Sequence, residues 1–233
     1  MSRRGSHPRR RSLGTRDHAV LTRIRIWLPD APGVLGAVAA EIGAVQGNVV
    51  GLEVLERESG VAIDEMVVEL PDEPGAVDAV CRGVRKVPGV GVEEVVELAG
   101  GAPDREDTVL AATAAILDAA TPDAVMQALT GFLRSLFDLT WLAVTDDALT
   151  CFVEVHGDPP SPPWVAAFAE GARSGGDPAN DTTGSGVFVE TVPGAGLAVC
   201  GGRAVAIRRR ERHEIALLVT AAARFMEAVR GGH

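Results

Sequence analysis

Hydrophobic residues change period several times along this chain, and each change marks an element. From Leu21 to Leu28 (LTRIRIWL) apolar and polar positions alternate, the period of a strand with one buried face. Val34, Leu35, Val38, Ile42 and Val45 then recur every three or four residues, which predicts a helix with one apolar face. Between them, Asp30 offers a capping acceptor, Pro32 suits a first helical turn, and Gly33 permits close approach to the backbone. Gly47, in a QGN turn, is the expected left-handed helix stop. Two strand-like runs, Asn48 to Glu58 and Val61 to Pro71, flank Ser59-Gly60, a hairpin signal. Val77, Val80, Cys81 and Val84 form a second helical stripe, with Asp72 as its expected cap and Pro88-Gly89 as its stop. Val90 to Leu98 closes the set as a strand. The order β-α-β-β-α-β predicts a four-stranded antiparallel sheet with two helices on one face.

Residues 99–107 (AGGAPDRED) are small, polar and proline-bearing, the composition of a linker. Beyond them the periodicity predicts two helices, Thr108 to Ala120 and Asp123 to Phe137, split by Thr121 as N-cap and Pro122 at the first position. A strand pair across Asp146-Asp147, a helix after the DPPSPP loop, and a flexible run from Gly175 to Gly186, long enough to be a lid or simply disordered, follow. Three strands are then expected, VFVETV, GLAVCG and RAVAIRR, the last two turning at Gly201-Gly202. A long helix from Glu211 to Val229 presents Ile215, Leu218, Val219, Ala222, Phe225, Met226 and Val229 to a core. The fold class is α+β in two domains, 19–98 and 108–233, after a basic tail (1–18) expected to be disordered.

Charge narrows the function classes. The tail carries six arginines, yet the whole chain has net charge −10, so the body is strongly acidic and unsuited to nonspecific nucleic-acid binding. No 18-residue uncharged apolar run suggests a membrane span. Cys81, Cys151 and Cys200 are widely spaced and lie among apolar residues, which suggests small buried hydrophobes in a reducing, cytoplasmic setting. The five histidines show no metal-ligand spacing, and no nucleophile elbow or phosphate loop occurs, so no metal, cofactor or catalytic set is expected. Glu53, Glu56, Glu58, Asp64, Glu65, Glu69, Glu93, Glu94 and Glu97 read as a solvated sheet face. Arg208, Arg209, Arg210 and Arg212 read as a solvated corner or, less plainly, a site for an acidic partner.

Over Leu21 to Leu98 the chain resembles an ACT domain. The resemblance rests on the D-x-P-G-x-L loop (Asp30, Pro32, Gly33, Leu35), on Gly47-Asn48-Val49 opening the second strand, and on the element order. It implies an amino-acid effector held where two such units lie side by side and extend a joint sheet, hence a homodimer. By position it puts Asp30 and Asn48 among side-chain ligands, and Ala31, Gly33, Val34 and Leu35 among backbone contacts, with Val49 beside Asn48. A carboxylate suits helix N–H groups and an Asn amide, and an ammonium suits Asp30. Leu28 stands where some members carry a polar residue, which favours an apolar effector. Asp30 as a plain cap and Asn48 as a plain turn residue remain open readings.

Over Thr108 to Val229 the chain resembles the GAF fold in its element order, with GLAVCGGRAVAI as the best stretch. Together the resemblances imply a non-catalytic regulatory protein that binds an amino acid or similar small molecule and signals through the 99–107 linker to a separate effector protein. Two alternatives stand beside it: a ligand-free dimerisation module, and an enzyme using a cleft under the Gly175–Gly186 segment.

Overall fold

The computed structural model describes residues 19–98, 105–174 and 185–231. The expected disordered tail, most of the linker and most of the lid-like run lie outside the described residues. Two α+β units follow each other, each built on a four-stranded antiparallel sheet.

The first unit runs β1 (Ala19–Pro29), α1 (Val34–Ala44), β2 (Asn48–Glu58), β3 (Val61–Pro71), α2 (Ala76–Val84) and β4 (Gly91–Glu97), with strand order β2-β3-β1-β4. This is the β-α-β-β-α-β arrangement the periodicity predicts. Ser59 and Gly60 form the β2–β3 turn with both φ angles positive, 51° and 78°, the geometry a two-residue hairpin needs. Ile24, Ile26 and Leu28 of β1 and Met66, Val68 and Leu70 of β3 share one sheet face. They pack on Val38 and Ile42 of α1 and Val80, Cys81 and Val84 of α2.

Both expected caps are replaced by one device. Neither Asp30 nor Asp72 caps its helix; the N-cap residues are Gly33 (φ 88°) and Gly75 (φ 85°), left-handed and without a side-chain cap. The cause is local: Pro32 and Pro74 disfavour helical backbone in the residue before them, and a left-handed glycine then turns the chain into the helix. The pentapeptides Pro29–Gly33 (PDAPG) and Pro71–Gly75 (PDEPG) are near-copies, so the two halves of the unit repeat one strand-loop-helix design. The QGN turn also differs from expectation. Gln46 takes the positive φ (63°), and Gly47 is needed for space, since a Cβ there would lie 2.8 Å from Ile42 and 3.1 Å from Leu70.

In the second unit α3 (Arg105–Asp118) starts inside the expected linker, and α4 (Pro122–Leu136) opens as predicted, with Thr121 Oγ1 accepting from the Ala124 N–H at 3.2 Å. Then come β5 (Trp141–Asp146), β6 (Phe152–His156), α5 (Pro162–Ser174), β7 (Val187–Val192), β8 (Leu197–Gly202) and α6 (Arg209–Gly231), in sheet order β6-β5-β8-β7. Leu142, Val144, Phe188 and Val199 pack on α3, α4 and α6, whereas Trp141, Ala143 and Cys200 face Val165 and Ala169 of α5. The β5–β6 turn is wider than Asp146-Asp147, because the Asp146 carboxylate accepts from the backbone of Thr150 and Cys151 and holds a longer loop.

RAVAIRR is not a strand, so the sheet has four strands among the described residues rather than the five the sequence pattern predicts. Gly201-Gly202 ends β8 instead of turning. No Cβ fits at either glycine: Phe188 and Leu139 crowd the first and the Trp141 ring crowds the second. Arg203 then holds the chain out of the sheet, its guanidinium donating to the Phe137 carbonyl at 2.7 Å and the Ala206 carbonyl at 2.9 Å. Of the three cysteines, Cys81 and Cys200 are buried as expected, but Cys151 is exposed.

Candidate functional site

The PDAPG loop leaves β1 at the hairpin end of the sheet. The Asp30 N–H donates to Gly60 O at 2.8 Å, which ties the loop to the β2–β3 turn, and the Asp30 carboxylate lies 3.9 Å from the Arg57 guanidinium. Ala31 and Gly33 are exposed, and Val34 and Leu35 half-buried, against the same sheet end. The Val34 N–H already reaches the Ala31 carbonyl, at 3.4 Å. Leu28 is a core residue, 3% exposed on the helix-covered face.

Asn48 lies elsewhere. It opens β2 opposite Glu69, which stands opposite Leu21, whereas Asp30 follows Pro29. Eight strand residues separate the two positions, about 26 Å at the usual rise. Asn48 is exposed and its amide donates to the Glu69 carboxylate at 3.0 Å; Val49 beside it is exposed too. Asp30 and Asn48 of one copy therefore do not meet. Between them runs an uncovered apolar flank: Val49, Val50 and Leu52 of β2, with Gly36, Ala37, Ala39, Ala40, Gly43 and Ala44 of α1 exposed beside them.

Asp64, expected on the solvated face, is 3% exposed and lies on the helix-covered face beside Ile26 and Val54, with Oδ1 lacking a hydrogen-bond partner. Burial pushes its carboxyl pKa up; Arg57 opposes the shift and Asp30 adds to it. Asp30, Arg57 and Asp64 thus form one electrostatic group at the loop. The period-2 pattern does place Asp64 on the apolar face, in line with Ala62, Met66 and Val68, and that is the signal by which it could have been found.

The other sheet face is not solvated: the second unit covers it. Arg25, 2% exposed, donates to Glu65 at 2.7 Å and to Glu211 of α6 at 3.1 Å. Arg203 holds the second oxygen of Glu211 at 2.6 Å, and the Arg208 N–H donates to the same oxygen at 2.8 Å. Burial pushes the Glu211 carboxyl up, but Arg25 and Arg203 outweigh it and hold it below the ordinary carboxylate range. Around this centre Arg208 pairs with Glu93 and Glu56, Arg209 with Glu58, Arg210 with Glu53 and Glu214, and Arg105 with Glu214 and Glu53. The partner of Arg208, Arg209 and Arg210 is the chain's own acidic sheet, while Arg212 donates to the Ile207 and Ser185 carbonyls. At the rim Arg23 reaches Asp138 at 2.5 Å.

Two cavities open beside these features. One, of about 370 Å³, lies at the PDEPG loop and is lined by Asp72, Glu73, Asp78 and Glu97. The other, of about 590 Å³, lies between the first sheet and helices α3 and α4. Among the described residues no group of three or more His, Cys, Asp or Glu is placed to hold a metal ion, and no helix is long and apolar enough to cross a membrane.

No family model and no curated protein matches the chain. Among solved structures, the ACT domain of a GTP pyrophosphokinase from Chlorobium tepidum aligns at 20% identity over 34% of this chain and 99% of its own, with a TM-score of 0.28. The C-terminal domain of the MgtC protein from Mycobacterium tuberculosis aligns at 9% identity over 38% of this chain and 97% of its own, with a TM-score of 0.31. An unknown protein from Galdieria sulphuraria aligns at 13% identity over 91% of this chain and 94% of its own, with a TM-score of 0.33. At such scores the strand order and register carry the description of the fold by themselves, and the chain is similar to these structures without belonging to a shown family.

Proposed function

We propose that this chain is a non-catalytic regulatory protein whose first unit works as an ACT-type sensor of an amino acid, at a site shared between two copies. The observation that carries the reading is the separation of Asp30 from Asn48 along an uncovered apolar flank. If two copies pair side by side about a twofold axis perpendicular to β2, the start of one β2 comes next to the end of the other. Asn48 of one copy then approaches the hairpin and Asp30 of its partner, two groups of opposite hydrogen-bonding character at one interface. The ligand's ammonium would take Asp30; its carboxylate would take the Asn48 amide and the N–H groups around Gly33, at a helix N-terminus. The small residues of α1 allow close approach.

A ligand that binds the paired arrangement better than the free one shifts the population toward it. In this reading the change reaches the second unit through the Arg25–Glu65–Glu211 contact as well as the linker, and leaves through a partner protein. A GAF-like role for the second unit stays part of the proposal.

The test is thermal melting against the twenty amino acids with size measurement by light scattering. Ligand at 100 times its Kd stabilises by about 2.7 kcal/mol. Stabilisation lost in both Asp30→Ala and Asn48→Ala, with a dimer in the wild type, supports the sensor. A dimer unaffected by any amino acid would leave a scaffold, and turnover of a candidate metabolite would favour an enzyme.

A further inference from the structure

We propose that Arg57 is a positioning residue of the interface site, a cation shared by two carboxylates that it serves in turn: Asp30 while the site is empty, Asp64 once a ligand's ammonium has taken Asp30. The inference rests on the reading above of Asp30 as a ligand group. Its geometry comes from the register. Asp64 of β3 stands opposite Val54 of β2, and past a register shift Arg57 stands opposite Ala62, the next residue from Asp64 on the helix-covered face. Arg57 and Asp64 are therefore diagonal neighbours on adjacent strands, about 7–8 Å apart and within reach of a long side chain. Toward the loop the same guanidinium lies 3.9 Å from the Asp30 carboxylate, with the two side chains 63% and 41% exposed. That is beyond hydrogen-bond distance, and a pair so open contributes little by itself. Arg57 is held near Asp30 by charge without being fixed there.

Asp64 is the group with the greater need. Its Oδ1 is enclosed and lacks a hydrogen-bond partner, so no ligand reaches it and its counter-ion has to be a side chain already beside it. Ile26 and Val54, its neighbours across the two strands, are apolar. The charged groups that bear on it are Arg57, which favours the ionised carboxyl, and Asp30, which opposes it. Glu56 and Glu58, the other acids near this end of β2, are held by Arg208 and Arg209 of the second unit and do not compete for Arg57. Two carboxyl groups thus share one cation. Neutralising Asp30 removes both the rival for Arg57 and the negative field on Asp64, and Arg57 then turns back along the sheet to the buried carboxylate. An unpartnered buried carboxyl holds its proton to a higher pH than a solvated one, so in that acidic range the exchange sends a proton from Asp64 to water. Ligand binding therefore tightens as the pH rises toward the ionisation range of Asp64 in the empty protein, and levels off above it.

The experiment is a carbon-13 NMR titration of the full chain that follows the Asp64 carboxyl, identified by its loss in Asp64→Asn. No ligand is needed, because Asp30→Asn removes the charge that a bound ammonium would neutralise. That change should raise the acid ionisation constant of Asp64 by about 10-fold or more, and by less than about 2-fold when made in a chain that already carries Arg57→Gln. Asp30→Ala should give the same pair of results, which assigns the effect to the lost charge and not to the new amide. An equal change with and without Arg57 would mean that Asp30 acts on Asp64 through its field alone, and would overturn the exchange. So would no change in either chain. The interface reading is judged separately, by amino-acid melting curves of the unaltered chain: their failure leaves the titration as it is, and a failed titration leaves them standing.

Discussion

The two faces of the first sheet are both covered, and by opposite chemistry. On one, Ile24, Ile26, Leu28, Met66, Val68 and Leu70 meet two helices through hydrocarbon. On the other, Arg25, Glu65 and Glu211 meet through charge, at exposures of 2%, 9% and 1%. Hydrocarbon packing is non-directional and tolerates substitution of similar volume. A buried ion cluster holds only while every member is present, because each charge has given up its water. The apolar face therefore holds the unit together, and the ionic face sets how the second unit sits on it.

The contrast is tested most sharply by Glu211→Ala. Arg25 and Arg203 would remain buried without their carboxylate, and stability to denaturant should fall by about 3–5 kcal/mol. On the opposite face Ile26→Ala leaves a cavity and should cost about 2–4 kcal/mol. A markedly smaller loss for Glu211→Ala than for Ile26→Ala would mean that the ionic face carries little of the interface.

Acid titration separates the faces further. Glu211 has a lowered folded pKa, so its contribution is present above the unfolded carboxylate value, about 4.3, and is lost as the pH falls through the folded one. Asp64, raised by burial, behaves oppositely: its contribution is present below about 3.9 and lost as the pH rises through its folded value. Asp64→Asn should therefore stabilise at pH 7 by on the order of 1 kcal/mol and confer nothing at pH 3, as read from denaturant midpoints at the two pH values. The smallest effect belongs to the rim, where Arg209→Gln removes the partly exposed pair with Glu58 and should change stability by less than about 0.5 kcal/mol.

Elements set by neighbours in sequence were legible: the Ser59-Gly60 hairpin, the Thr121-Pro122 start of α4, and the valine stripe of α2. What covers an element was not. Alternation assigns Glu53, Glu65 and Glu93 to one face, but whether that face meets water or Arg208 depends on a segment more than a hundred residues away. The helix starts were misread because an acidic residue before a proline looks like a cap, while the duplicated PDxPG pentapeptide carried the true signal. RAVAIRR has a strand's hydrophobicity, and only the contacts of Arg203 with three carbonyls explain why it leaves the sheet. Among the candidate site residues, the PDAPG turn into α1 was legible from Pro32 and Gly33, and its distance from Asn48 required the register.

The ionic face also orders events during synthesis. Arg25 and Glu211 are 186 residues apart, and Glu93 and Arg208 are 115 apart. At cellular elongation rates the second interval takes on the order of 10 s, long enough for the first unit to fold while the ribosome is still making β5 to β8. Its finished sheet then waits with the future contact surface bare. A hydrocarbon surface left open that long invites aggregation, whereas a carboxylate-rich one stays hydrated and repels its neighbours on the same messenger. The arginines of α6 emerge after the other described elements, and discharge that surface only when there is a second unit to dock.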